Sequence, residues 1–464
     1  LFALLLAAHL CHSRVLWTEE DLPLAAALRM LHGGVLYRDI WFDKPPLVPA
    51  VYLLWGARIG PVLRVAGAAY AFLCCLLAYL FAAGLWSRRE GYTAAALVGF
   101  FLTFDTQSAV LPLAADLLLL APHLAAVLLA SRRQFFWGGV AAGIGFLFNT
   151  KGVFVLAACV VFGWPGVIPL LVGFLVPNIA AAGWLVGTGA VGPYIDQVWR
   201  WGAQYAASPV AADPVRNGVV RTLNWLGFHA VLVIGVGGYW LLGKPPERRL
   251  QPRKAAPQWF IAWVGICFIG VVLGWRFFPR YYFLVLPALA IPAARGLSMI
   301  RSRALIAIAL VAMAVPLVRF GPRYLMLSGW NDLAMDRDSR EASAIAVRNA
   351  PKEGSLYVWG YRPEMYVYTG LRPATRFLEC QAMTGVPADR HLTSTEIVLT
   401  SGTHEAREEL ARSRADVLID GLSLYNPALA MDRYPELRAW LAGYREVART
   451  KGSVIYVRLA TIGR

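Results

Sequence analysis

The sequence predicts a polytopic α-helical membrane protein of about eleven transmembrane helices, the first of them truncated, followed by a small soluble α/β domain. Three observations predict it. Of 464 residues, 58% are hydrophobic and 16% charged, with a mean hydropathy of +0.53, whereas a soluble globular chain has about 45–50% apolar and about 25% charged residues. Apolar runs of spanning length recur up to residue 319, and after it the composition changes to short alternating segments. This balance excludes an ordinary cytosolic enzyme, a disordered chain and a nucleic-acid-binding domain.

Residues 1–11 are apolar but too short for a core that needs about 20 residues, and read as the remnant of a first membrane helix. Residues 12–61 form a loop. Within it WTEEDLPLAAALRMLHGG carries Leu24, Leu28 and Leu31 at helical spacing behind Pro23, which predicts a short amphipathic helix lying in the interface and ended by a glycine pair. Pro45 and Pro46 break the next segment. Spans follow at 62–86, 91–105, 113–131, 135–149, 152–163, 166–187, 219–242, 258–275, 281–297 and 304–319, of which 152–163 is the shortest.

Charge tests this threading. The formal charge is +16, and residues 1–319 hold 25 basic and 11 acidic side chains against 19 and 17 in residues 320–464. The loops 87–90, 131–134, 243–257 and 295–303, which the threading puts on one side, hold twelve basic residues and only Glu90 and Glu247 as acids. That excess is therefore a topology signal, not a polyanion-binding surface. The positive-inside rule makes this side cytoplasmic, so 12–61, 188–218, 276–280 and everything after 320 face the other compartment. In the tail, helical DSREASAIAVRNA and PELRAWLAGY alternate with strand-like SLYVWG, ADVLID and SVIYVRL, which predicts a small α/β domain over 320–464 without a phosphate loop, HxxxH or GxSxG. The six cysteines lie mostly in apolar runs without metal or disulfide spacing and read as packing residues.

Chemistry concentrates in the first loop. Glu19, Glu20, Asp21, Asp39 and Asp43 make up five of the eleven acids before residue 320, beside Arg38 and Lys44. A carboxylate there can take a proton from a hydroxyl while a cation neutralises a phosphate leaving group; the plainer reading is a solvated acidic loop with Asp21 at a helix start. Asp116 begins a leucine-rich span, where a charge driven to the bilayer centre costs about 2.5–3.5 kcal/mol, so it is expected to face a polar cavity or to start a helix at the interface. Arg276 and Arg280 bracket Phe-Phe-Pro, with Tyr281 and Tyr282 beside them; they suit a phosphate or an aromatic belt. Lys151 lies between two helix ends on the same side. Lys44 suits a phosphate or snorkels to the headgroups. Trp199 and Trp201 suit a sugar platform or a belt. His123 and His229 lack ligand spacing and read as core histidines, Asp105 as a lesser candidate than Asp116, and no metal site is indicated.

Taken together, the acidic pair, about fourteen helical residues to a glycine pair, Tyr-Arg-Asp, and then Asp-Lys-Pro-Pro-Leu resemble the first outward loop of GT-C glycosyltransferases of the protein O-mannosyltransferase and lipid A aminoarabinose-transferase type. The resemblance continues through DLLLLAPHLAAVLLA, GGVAAGIGFLFNTKG, YIDQVWRWGAQYAASP, RFFPRYYFLVLPALAI and, in the tail, GSLYVWGYRPEMYVYTGLRPATRF. It implies a polyprenyl-phosphate sugar donor, a lipid, glycan or protein acceptor, no cofactor, a bacterial inner membrane and a periplasmic C-terminal domain. It also implies that the family's Asp-Glu pair falls on Glu19 and Glu20, with Glu19 as catalytic base and Glu20 as its orienting partner, or that the register slips by one and Asp21 joins the site. Asp116 takes the place of the second outward carboxylate. Lys44, with Lys151, Arg276, Arg280 and Tyr281, lies where the donor phosphate is bound; Arg280 stands where many relatives have His. The expected reaction is transfer of a hexose or pentose with inversion. A transporter or flippase of a lipid-linked saccharide is the rival reading, and it predicts charged or broken helices at the bilayer midplane and repeat symmetry; a scaffold whose tail binds a protein leaves the first-loop acids without a role.

Overall fold

A computed structural model describes residues 1–162, 164–208, 211–242, 257–325, 331–389 and 391–459. The basic loop 243–257, apart from Pro257, and the tail beyond 459 thus lie outside the described residues. The apolar runs up to 320 are helices. Among the described residues three are long and apolar enough to cross a membrane, Pro61–Leu85, Val167–Gly187 and Arg303–Leu325, and a fourth counts if Pro214–Phe228 and Ala230–Leu242 are one span. Shorter apolar helices, Ala115–Ser131, Phe135–Phe148, Gly152–Phe162 and Pro257–Val272, complete the bundle with Arg88–Phe101 and Leu286–Met299.

Local chemistry sets the ends. Gly60, with φ 78°, delivers Pro61 to the first helical turn, and Ser87 Oγ accepts the Arg89 N–H at 3.2 Å to start Arg88–Phe101. Small residues let helices approach: a Cβ on Gly173 would lie 2.0 Å from the Phe136 carbonyl oxygen, and one on Gly296 would lie 1.7 Å from that of Gly235. The 219–242 run, read from the sequence as one span, falls on two helices, Pro214–Phe228 and Ala230–Leu242, bent by 82° to one another. The break falls at His229, whose Nδ1 lies 2.9 Å from the Trp225 carbonyl oxygen and whose ring stacks between Trp225 and Phe101. Five of the six cysteines are buried, as packing residues are, whereas Cys11 is exposed.

The described basic loops gather at one end. Arg295 Nη1 pairs with Glu90 Oε1 at 2.5 Å, Arg132 Nη2 donates to the Leu80 carbonyl at 3.4 Å, and Trp86 contacts Tyr239 and Phe260. The shortest threaded run, Gly152–Phe162, starts beside Lys151 at the opposite end, while the Phe162 ring stacks on Trp259 and meets Phe260. It therefore runs between the two ends.

The C-terminal part holds a five-stranded sheet. Its strands are β1 (Ser355–Trp359), β2 (Arg372–Pro373), β3 (Val417–Asp420), β4 (Tyr444–Arg449) and β5 (Val454–Arg458), in the order β2-β1-β3-β5-β4. The β1/β2 and β1/β3 pairs are parallel, and β3/β5 and β4/β5 antiparallel. Helix Asn331–Asn349 packs on this sheet, and between them the buried Arg362 pairs with Asp338 at 2.9 Å and Glu364 at 3.6 Å and donates to Ser453 Oγ at 2.8 Å.

The first loop is clamped between the two parts. Its helix, Asp21–Leu31, buries Leu24 to Ala27 and packs against Glu364–Thr369 of the sheet domain. The Leu16 N–H donates to Asp336 Oδ1 at 3.2 Å, and the Trp41 N–H to the Arg376 carbonyl at 2.8 Å. Gln197 fixes the loop from the other side, accepting the Phe42 N–H at 2.9 Å and donating to the Tyr37 carbonyl at 2.8 Å. The amphipathic helix thus has protein, not only an interface, against its apolar face.

Candidate active site

The helix ends opposite the basic loops and the sheet domain enclose a cavity of 440 Å³. Of the sequence-derived candidates, Glu19, Asp21, Lys44, Asp116, Lys151, Arg276, Arg280 and Tyr281 all line it, with Trp199 and Trp201. Glu20 does not. Five separate stretches of chain supply these groups, so the fold brings together residues up to 262 positions apart.

The two adjacent glutamates are held on different sides of the backbone by the φ of 84° at Glu19. Glu20 is sealed in the protein: its carboxylate pairs with the buried Arg64 and accepts the Trp17 N–H at 2.9 Å. Burial pushes its pKa up, and Arg64 opposes that shift. Glu19 instead reaches the cavity wall, where Oε1 lies 2.7 Å from Arg280 Nη1. Asp21 Oδ1 accepts the N–H groups of Glu19 at 3.0 Å and Leu22 at 2.8 Å, and so fixes the strained residue. Its carboxyl is pushed well above the usual range by burial, with Glu364 and Glu19 adding to the shift.

A second set of links starts from Asp116. Its Oδ2 is 3.4 Å from Arg280 Nε, its Oδ1 is 3.8 Å from Lys151 Nζ, and that same Oδ1 accepts from Asn149 Nδ2 at 2.9 Å. Asn149 Oδ1 in turn accepts the Lys151 N–H at 3.0 Å. Lys151 Nζ stands 3.1 Å from the centre of the Tyr281 ring. At 3.8 Å from Asp116 it is beyond hydrogen-bond length, and among the described residues its ammonium has no hydrogen-bond acceptor. Burial lowers its pKa to about 8, with Arg280 adding and Asp116 opposing.

Lys44 reaches the same space from the first loop. Its Nζ pairs with Asp43 Oδ2 at 2.8 Å, and its carbonyl accepts the Tyr37 hydroxyl at 2.7 Å. Burial works against its charge, but Asp43 and Glu19 outweigh burial and hold its pKa above the ordinary lysine value. The same balance, with Glu19 and Asp116 as the acids, raises that of Arg280. Arg276 is occupied differently: Nη2 donates to the carbonyls of Tyr205 at 3.0 Å and Ser208 at 2.9 Å, and its guanidinium lies 3.5 Å from the Tyr205 ring centre. It ties down the end of helix Trp201–Ala207 as well as lining the cavity.

A second cavity of 430 Å³ adjoins the first. Glu19, Arg276 and Arg280 line both, whereas Lys44 and Lys151 line only the first. The second is also lined by Thr106, Ser108, Thr393, Ser394 and Arg221, none of which lines the first. Glu19 and Arg280 thus stand where the two chambers meet.

Other residues fall outside this arrangement. Asp105 lies 3.7 Å from His229 Nε2, away from the first cavity. His123 Nε2 accepts the Trp263 indole N–H at 2.9 Å, while its Nδ1 has no hydrogen-bond partner among the described residues. The sequence reading missed Asn149 and Tyr205, although both lie inside segments that resemble the family, and it missed Glu379 and Gln381, for which no local pattern exists.

No family model and no curated protein matches the sequence. Solved structures do. The crystal structure of ArnT from Cupriavidus metallidurans bound to undecaprenyl phosphate is similar over 99% of this chain and 97% of that one, at 14% identity and a TM-score of 0.64. Its apo state is similar over the same shares at 14% identity and a TM-score of 0.59. The chain therefore shares the fold of these structures, the GT-C fold.

Proposed function

We propose that the protein is an integral membrane glycosyltransferase that moves a hexose or pentose from a polyprenyl-phosphate donor to an acceptor hydroxyl on a lipid, glycan or protein. The single observation that carries this reading is the position of Glu19, a carboxylate on the border between a chamber with Lys44 and Lys151 and a chamber with Thr106, Ser108, Thr393 and Ser394, with Arg276 and Arg280 lining both. The fold shared with a protein crystallised with undecaprenyl phosphate supports a lipid phosphate in the first chamber.

The donor phosphate sits among Lys44, Lys151 and Arg280, and the acceptor enters from the second chamber. As the phosphate draws the Arg280 guanidinium, the Glu19 carboxylate is released to take the acceptor's proton. The acceptor oxygen then forms the bond to the anomeric carbon while the bond from that carbon to the phosphate oxygen breaks. The electron pair leaves with polyprenyl phosphate, whose charge the cations hold. One displacement inverts the anomeric centre. Asp116 orients Arg280 and Lys151, Asp21 holds the Glu19 backbone, and Glu20 positions the loop through Arg64.

The remaining assignments belong to the same reading: residues 1–319 as the membrane body with about eleven crossings, residues 320–464 as an outward domain, and a bacterial inner membrane with that domain in the periplasm. The gathering of Arg295, Arg132 and Glu90 at the end away from the site supports this sidedness. A reporter fused after Phe320 is expected outside the cytoplasm, and cytoplasmic reporter activity would overturn it. For the reaction, the protein in liposomes is given a panel of undecaprenyl-phosphate sugars. Glu19→Gln is expected to lose turnover while still binding undecaprenyl phosphate; wild-type turnover in that variant removes Glu19 as the base.

A further inference from the structure

The larger cavity has a wall that the mechanism above does not use. The chain leaving β1 supplies Tyr361 and Pro363 to it, and the chain leaving β2 supplies Glu379 and Gln381. In sheets with parallel strands, ligands collect beyond the carboxyl ends of those strands. Here that edge faces into the membrane body, across from Asp43 and Lys44.

This wall is rigid and polar. The Cys380 N–H donates to the Gly360 carbonyl at 3.1 Å, and the Tyr361 hydroxyl to the Val386 carbonyl at 2.9 Å, which pins the segment to the end of β1. Glu379 and Gln381 are each 3% exposed, and the Gln381 amide donates to Glu379 Oε1 while its own oxygen accepts the Ala388 N–H at 3.4 Å. Among the described residues Glu379 has no cationic partner within ion-pair distance. Burial, with Asp43 adding to it, raises its carboxyl to about 8, so near neutrality it both donates and accepts a hydrogen bond. A planar carboxyl beside a planar amide has the donors and acceptors that suit adjacent hydroxyls of a sugar ring. Both side chains line only the chamber with Lys44 and Lys151, which separates them from the acceptor side.

We propose that Glu379 and Gln381 bind adjacent hydroxyls of an uncharged donor sugar, so that the C-terminal domain selects the sugar while the membrane body holds the phosphate. This rests on the glycosyltransferase reading, and the experiment separates the two. The undecaprenyl-phosphate hexose or pentose that wild type turns over fastest is the substrate, and undecaprenyl phosphate without sugar is the competing ligand. Glu379→Ala and Gln381→Ala are expected to raise the donor KM about tenfold or more, to leave the inhibition constant of undecaprenyl phosphate unchanged, and to relax the preference among sugars. Glu379→Gln should restore much of the lost donor affinity. An unchanged donor KM in both alanine variants overturns the proposal, as does an equal rise in the inhibition constant, which would mean a displaced phosphate site. Absence of turnover by wild type on every donor, with undecaprenyl phosphate still bound, overturns the transfer reading itself.

Discussion

Two clusters in this molecule are built around an arginine with two carboxylates, and they have opposite character. Arg362, wholly buried in the sheet domain, has Asp338, Glu364, Ser339 and Ser453 around it, and Asp338 is further tied to the Gly452 N–H at 2.8 Å. Burial opposes the Asp338 charge, but Arg362 and these hydrogen bonds outweigh it and lower its pKa. Arg280 also meets two acids, Glu19 and Asp116, but on a cavity wall, beside a Lys151 ammonium without an acceptor among the described residues and a glutamate held at positive φ. A completed buried network fixes a fold, whereas an incomplete one at a cavity has capacity left for a ligand.

Three experiments can break or sharpen this contrast. The largest effect is expected at Glu19: Glu19→Gln should lower kcat by about 10²–10⁴-fold, the span of general base catalysis, with unfolding unchanged. The next is at the sealed cluster. Arg362→Leu leaves Asp338 and Glu364 buried without their cation and should cost about 3–5 kcal/mol, read as earlier thermal unfolding of the C-terminal part. Arg280→Leu should cost far less stability, because its acids face the cavity; equal losses in the two leucine variants would erase the distinction between the clusters.

The smallest effect is a pH dependence. With a folded pKa of about 8, Lys151 loses its charge above that pH. If the charge holds the donor phosphate, kcat/KM should fall by up to tenfold per unit as pH rises past about 8, and Lys151→Arg should remove that limb. Stability should move the other way. Because the folded pKa lies below the unfolded value, the unfolded chain holds more protons between pH 8 and the ordinary lysine range, so folding becomes more favourable there as pH rises. A profile flat to pH 10 would take Lys151 out of the phosphate site.

What the sequence made legible follows from where the information sits. The helices of the membrane body, the strands β1, β3 and β5, and the first-loop acids are local signals of hydropathy, alternation or spacing, and they were readable. The 82° bend at His229 was not, because it depends on rings from separate helices stacking on one imidazole. The choice between Glu19 and Glu20 was equally out of reach, since it turns on one backbone angle and on Arg64, 44 positions from Glu20. Glu379 joins the cavity only through the docking of a domain whose own sequence carries no catalytic pattern.

The positive φ at Glu19 has a consequence for how this protein responds to selection. A glutamate in left-handed backbone carries a strain of about 1–2 kcal/mol that asparagine or glycine largely relieves. A screen for heat-resistant variants would therefore favour replacing the one carboxylate on which the proposed chemistry depends, and the hardiest proteins it returned would be the least able to turn over. Endurance and competence are set against each other at a single backbone position.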